Sequence, residues 1–138
     1  RSKFFQTVQE IWEDSVVHTY DVGEEGQEFV PHEPSYIPEG YEEVRRIETE
    51  KTVFIEYINE NNNYIYWNQR MVEDEDWRVT NLEYKEQFVR EVDDKILVVS
   101  VYEDDSIQIY WEVEKYIYFI IANDIEIAEA EKIISSIH

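Results

Sequence analysis

The sequence predicts an α+β domain, an antiparallel β-sheet meander of about six strands with an N-terminal and a C-terminal helix packed on it. Three observations lead there. Apolar residues recur at three- and four-residue spacing near both ends of the chain. Between those ends they alternate at period two, in segments separated by Asn or Asp clusters. All three Gly and all three Pro lie between Gly23 and Gly40, so neither residue type interrupts the rest.

Each element has its own signal. Phe4, Phe5, Val8, Ile11, Trp12 and Val16 share one face of a helix over residues 3–16, with Gln6, Gln9, Glu10, Glu13 and Asp14 opposite. Gly23-Glu24-Glu25-Gly26 reads as a turn or loose linker, and Pro31, Pro34 and Pro38 make the following segment extended. Pro38-Glu39-Gly40 reads as a turn in which Gly supplies a positive φ. Val53, Ile55 and Tyr57 alternate along the first strand. Asn61-Asn62-Asn63 then turns into Tyr64 to Met71, with Ile65, Trp67 and Met71 on one face. Glu73-Asp74-Glu75-Asp76 breaks the sheet, and residues 77–87 are ambiguous.

Four strands follow, Phe88 to Val92, Ile96 to Tyr102, Ile107 to Val113 and Tyr116 to Ile121, joined by Asp93-Asp94, Asp104-Asp105 and Glu114-Lys115. Ile107, Ile109, Trp111 and Val113 face one way and Gln108, Tyr110 and Glu112 the other, as in a half-buried antiparallel sheet. A last helix carries the stripe Ile127, Ala130, Ile133, Ile134 and Ile137, with Asn123 and Glu126 placed as a capping box. The chain divides into residues 1–33, an N-terminal helix and linker packing on the domain, and residues 34–138, the sheet and C-terminal helix. Together they form one globular domain.

Composition excludes several classes. With 12 Lys+Arg against 33 Asp+Glu the formal charge of the 138 residues is −21, which repels nucleic acid and anionic lipid. The hydrophobic fraction of 43% and aromatic fraction of 15% are too high for a disordered acidic chain. Absence of Cys removes disulfides, thiolate metal sites and a Cys nucleophile. No stretch approaches the roughly 18 apolar residues of a membrane helix. The chain starts at Arg1, not Met, which points to a piece of a longer or processed protein with any signal or anchor upstream.

No catalytic constellation emerges. Glu73–Asp76 and Glu103-Asp104-Asp105 lack the spacing and Gly of a calcium loop, so they read as solvated turns. His18, His32 and His138 have no metal-ligand spacing, and neither a nucleophile elbow nor a Gly-rich phosphate loop occurs. No cofactor and no metal are expected. The aromatics are the remaining candidates. Tyr64 and Tyr66 lie opposite the Ile65/Trp67 face, and Tyr110 lies opposite Trp111. Either both faces of the sheet are covered, or Tyr64, Tyr66 and Tyr110 form an open interaction surface.

The segment Pro34-Ser35-Tyr36-Ile37-Pro38-Glu39-Gly40-Tyr41-Glu42-Glu43-Val44 resembles the P-x-Y-I-P-E-G-Y-x-x-V opening of a bacterial family, domain of unknown function 4367. Ile55 to Ile58 with Asn63 to Gln69, Tyr110 to Tyr118, and Ile133 to Ile137 are similar to that family's later motifs, so the resemblance spans about residues 34–137. Asp93-Asp94-Lys95 departs from it where relatives carry Gly, although Asp also tolerates a left-handed turn.

The resemblance implies an extracytoplasmic domain attached to the cell membrane by a transmembrane helix or a lipid outside this chain. It also implies an anti-sigma-factor-like or envelope-sensor protein of Gram-positive bacteria, and it supplies no catalytic residues. The expected function is a non-enzymatic sensor or interaction domain contacting an envelope protein. The alternative is a carrier for a small hydrophobic ligand held between sheet and helix.

Overall fold

The computed structural model describes residues 28–72 and 84–138. The expected helix over residues 3–16, the Gly23–Gly26 turn and the acidic segment Glu73–Asp76 lie outside the described residues. Within them the chain runs β1 (Glu42–Glu48), β2 (Thr52–Ile58), β3 (Tyr64–Met71), β4 (Tyr84–Val92), β5 (Lys95–Tyr102), β6 (Ile107–Val113), β7 (Tyr116–Ala122) and α1 (Ile127–Ser135).

The strands form one antiparallel sheet in the order β1-β2-β3-β7-β6-β5-β4. Among the described residues there are seven strands, not six. The added one, β1, is exposed along its whole length and reads EEVRRIE, so it has no alternation to betray it. Edge strands tolerate such charge because one side never enters the core, and the bulge between Glu43 and Arg45 blunts the edge further. β4 begins at Tyr84, and a bulge between Tyr84 and Glu86 obscures its periodicity.

The order also corrects the simple meander. The chain builds two meanders, β1-β2-β3 and β4-β5-β6-β7, and zips them together by pairing β3 with β7 from Ile65↔Ala122 to Met71↔Tyr116. The reason lies in side-chain polarity. β7 reads YIYFIIA and is largely buried on both faces, so the sheet centre is its stable place. The charged β1 and β4 take the two edges.

Turn chemistry follows the sequence. Asn62, Asp93, Asp94 and Asp105 adopt left-handed φ of 64°, 49°, 67° and 65°. Asn and Asp tolerate this region better than other L-residues because their short side chains bond locally. Glu114 shares it at 54°, in the turn between β6 and β7. Gly40 has φ +93°, and Tyr41 N–H donates to the Pro38 carbonyl at 3.3 Å to close the turn.

The inner face of the sheet carries Ile55, Ile65, Trp67, Ile109, Trp111 and Ile120, all buried. α1 lays Ala130, Ile133 and Ile134 on them, each fully buried. The helix starts later than a capping box at Asn123 requires. Its N-cap is Glu126, with no side-chain cap bond. Asn123 instead accepts from Tyr64 N–H at 2.8 Å and donates to Asn63 at 3.2 Å, tying the β7–α1 loop to the start of β3. The two-sided nature of β5, β6 and β7 is a second correction: all three are buried beyond the inner face. Val98, Tyr110, Ile117 and Val72 form a smaller cluster on the outer face.

Two measurements test this packing. Ile134→Ala removes a fully enclosed side chain from the helix–sheet layer and is expected to cost about 2–5 kcal/mol in chemical denaturation. Gly40→Ala meets no neighbouring atom within 4 Å, so its expected loss of about 1 kcal/mol comes from the positive φ alone.

Candidate functional site

Two surfaces of the sheet are distinguished by their chemistry. On the inner face an extended strap, residues 28–35, crosses the ends of β3 and β7. Pro31 and Pro34 hold it extended by restricting φ at their own positions and disfavouring helix at Val30 and Glu33. At Val30 and His32 its backbone is bonded by side chains, not by a neighbouring strand. Val30 N–H donates to Tyr116 Oη at 2.7 Å, and the Val30 carbonyl accepts from Gln69 Nε2 at 2.9 Å. His32 N–H donates to Gln69 Oε1 at 2.6 Å, and the His32 carbonyl accepts from Trp67 Nε1 at 3.0 Å. Three sheet side chains therefore satisfy both backbone groups of two alternate residues. Pro31, which has no N–H, lies between them and faces outward at no hydrogen-bonding cost.

Gln69 is the centre of this arrangement and is fully buried. It stands in the inward phase of β3, after Ile65 and Trp67. Around it Trp111 stacks on Tyr118 with centroids 5.3 Å apart, and Trp67 lies 5.6 Å from Tyr118. Burial, then the neighbouring Tyr116 and Glu114, pushes the Tyr118 hydroxyl well above its ordinary range, so it stays protonated. His32 Nδ1 lies 3.0 Å from Tyr118 Oη.

The strap is fastened at its far end by the carboxy terminus. Glu33 and His138 exchange two backbone bonds at 3.3 and 3.2 Å, Pro34 bridges Ile137, and Ser35 N–H donates to the Ser136 carbonyl at 3.1 Å. Arg46 adds an electrostatic tie. Its guanidinium reaches Glu33 at 2.9 Å, Glu43 at 2.8 Å and Glu48 at 3.0 Å, linking strap to edge strand. The Arg46 bond holds the Glu43 carboxyl below its usual range. Tyr57, inward on β2, is pushed up to about 12 by burial and then by Glu33 and Glu43, with Arg46 opposing.

The outer face holds the sequence-derived candidates. Tyr64 and Tyr66 are half-buried and stack on each other at 4.5 Å and 21°. Tyr66 also meets Phe54 at 5.7 Å, and Arg45 lies over the Phe54 ring at 5.6 Å. Burial raises the Tyr64 hydroxyl above its ordinary range. Tyr110 does not join them as an accessible group. It is 1% exposed, packed beside Phe119 at 6.0 Å in the second cluster, and burial raises its hydroxyl. The expected surface of three tyrosines is thus reduced to Tyr64 and Tyr66 with Phe54 and Arg45. Because Tyr64 and Tyr66 stack face to face, they present edges and hydroxyls, which favours hydrogen bonding over stacking by a partner.

Among the described residues no group of three or more His, Asp or Glu is placed to hold a metal ion, and no helix is long and apolar enough to cross a membrane. In the β5–β6 turn the acids do structural work. Asp104 accepts from Ser106 N–H and Oγ, which lowers its carboxyl, and Asp105 pairs with Lys85 at 2.7 Å. Among the described residues, clefts open at the rims. One of about 500 Å³ lies between the strap and the β1–β2 hairpin, floored by Phe29, Val53 and Met71. Another of about 380 Å³ lies beside the N-terminus of α1, lined by Ile107, Asp124 and Glu126 among others.

The family model for a domain of unknown function (DUF4367) matches residues 31–137. The chain belongs to this family. The family's span begins inside the strap and ends at Ile137, the residue that bridges Pro34, so residues 31–35 of the strap and the Pro34–Ile137 bridge fall within the family unit. Comparison with curated proteins and with solved structures gives no match.

Gln69 was missed as a functional position, yet it carried a signal: a polar residue in the buried phase of a strand requires a partner. Gln69→Leu is expected to orphan the Val30 carbonyl and the His32 N–H. The loss should be about 2–4 kcal/mol in denaturant unfolding, more than its added apolar burial returns.

Proposed function

We propose that this is a non-enzymatic extracytoplasmic sensor or interaction domain of a membrane-anchored, anti-sigma-factor-like regulator. It works by contact with an envelope protein through the outer face of β2 and β3. The single observation that carries this reading is the row Phe54, Tyr66 and Tyr64, half-buried on a sheet whose inner face is already closed by α1 and the strap. Aromatic groups with polar tips, flanked by an Arg, are the side chains that dominate binding energy at protein interfaces. The location and the regulator context rest on the family resemblance.

A carrier of a small hydrophobic ligand is the second reading. The layer between sheet and helix is filled by buried side chains, so this reading now rests on the rim cleft of about 500 Å³ floored by Phe29, Val53 and Met71.

The test places a photo-crosslinking amino acid at position 66 of the full-length protein in its native membrane, with position 96 as control. Ile96 is an exposed apolar residue at the far side of the same sheet. A discrete adduct at 66 alone is expected. Tyr64→Ser in the chain that carries the crosslinker at position 66 should reduce capture about tenfold or more while the melting transition persists. Equal capture from both positions would retire the contact surface.

A further inference from the structure

His32 sits where the hydrogen-bond arithmetic favours the neutral ring with its proton on Nε2. The Gln69 carboxamide has a fixed orientation, because its oxygen must accept from His32 N–H at 2.6 Å. Its nitrogen is therefore the donor that meets the Val30 carbonyl at 2.9 Å, and the same nitrogen lies 3.3 Å from His32 Nδ1. A donor faces Nδ1, which favours a lone pair there and the ring proton on Nε2. Tyr118 Oη, 3.0 Å away, can turn its hydroxyl hydrogen to the same lone pair.

We propose that the strap is a proton-operated latch: neutral His32 completes the Gln69–Trp67–Tyr116–Tyr118 clamp, and protonation at Nδ1 opens it without unfolding the sheet. An added proton on Nδ1 points an N–H at the Gln69 N–H. Gln69 cannot turn over to relieve the clash without giving up both strap bonds. Tyr118 Oη can accept a hydrogen bond from the new N–H, but only by redirecting its own hydroxyl hydrogen. The strap is the covalent link between residues 1–27 and the sheet. The latch acts on the inner face and is independent of the outer-face contact proposed above.

The surrounding charges favour the closed state near neutrality. Desolvation by burial, and then the repulsion of a charged His138, lower the His32 ring below its ordinary value of 6.5. Among the described residues β3 presents the neutral Gln69 and Trp67 to it, and β7 presents Tyr116 and Tyr118. Lys115, 5.4 Å from the Tyr116 ring, adds positive charge behind that residue, whereas Glu114 acts on Tyr118. Glu33, the nearest carboxylate along the strap, is engaged by Arg46. A depressed His value means that the closed strap binds fewer protons than the open one. Its stabilisation is complete above about 6.5 and is lost as pH falls through the window below that value.

The test is an NMR pH titration of the 15N-labelled chain between pH 7.5 and 5, with amide exchange corrected for intrinsic rates. The His32 ring should titrate below 6.5. The Trp67 indole N–H, which donates to the His32 carbonyl, should move with the same midpoint. Protection of the Val30 and His32 amides should fall about tenfold or more, while the Ile109 and Trp111 amides of β6 hold. His32→Gln, which can accept but does not titrate, should remove the pH dependence of both strap amides.

A Trp67 signal that stays flat through the His32 titration overturns the latch. So does parallel loss of β6 protection, which signals global unfolding, or unchanged pH dependence in His32→Gln. If that variant fails to fold, the midpoint comparison in the unmodified chain still decides. Crosslinking at position 66 reports on the other face and is unaffected by either result.

Discussion

The carboxamide of Gln69 is the constraint on which this molecule turns. A fully buried amide with two donors and an acceptor cannot be left unpaired without a cost of several kcal/mol. An extended backbone that presents N–H and C=O on alternate residues complements it well, and Val30 and His32 supply that backbone. Other features serve the same end. Pro31 falls between Val30 and His32, where no N–H is needed for the clamp, and Pro34 closes onto Ile137. The side chains of Trp67 and Tyr116 take up the two groups Gln69 cannot reach. The strap is read by side chains because β3 and β7 lie side by side at the sheet centre with their own backbone groups already paired.

Charge is managed at the edges. With a formal charge of −21, the chain has few cations to spend. Arg46 gathers three carboxylates from strap and edge strand at 2.8–3.0 Å, and Lys85 and Arg90 each meet one acid. Such partly exposed pairs are individually weak. Around Arg46 they form a network that holds Glu33, and hence the end of the strap, against β1. The central strands carry almost no charge and pack aromatics on both sides. This division lets one face be sealed by α1 and the strap while the other leaves Tyr64 and Tyr66 partly open.

Much of this was legible from residue order. The alternation Ile107, Ile109, Trp111, Val113 marked the inner face of β6, and Asn62, Asp93, Asp94 and Gly40 marked turns that do need positive φ. β1 was illegible because an exposed edge has no buried phase to alternate with. The outward phase of β6 was misjudged for the opposite reason: alternation shows that two faces differ in polarity, not that one is wet, and Tyr110 and Glu112 are both buried. Asn123 has the side chain of a helix cap, but the start of β3 offered it better-placed partners.

The sequence by itself determined the elements with local causes: most strand segments, their turns, the apolar stripe of α1 and the extended Pro-rich segment. Each is set by neighbours within a few residues, where periodicity and φ preference act. Only the tertiary structure decided the strand order, the pairing of β3 with β7, the closing of the strap and the burial of Tyr110. These depend on partners far apart in the chain, 37 residues between His32 and Gln69 and 86 between Val30 and Tyr116. Such partners meet because burying an apolar β7 at the sheet centre leaves inward polar groups that must each find a complement.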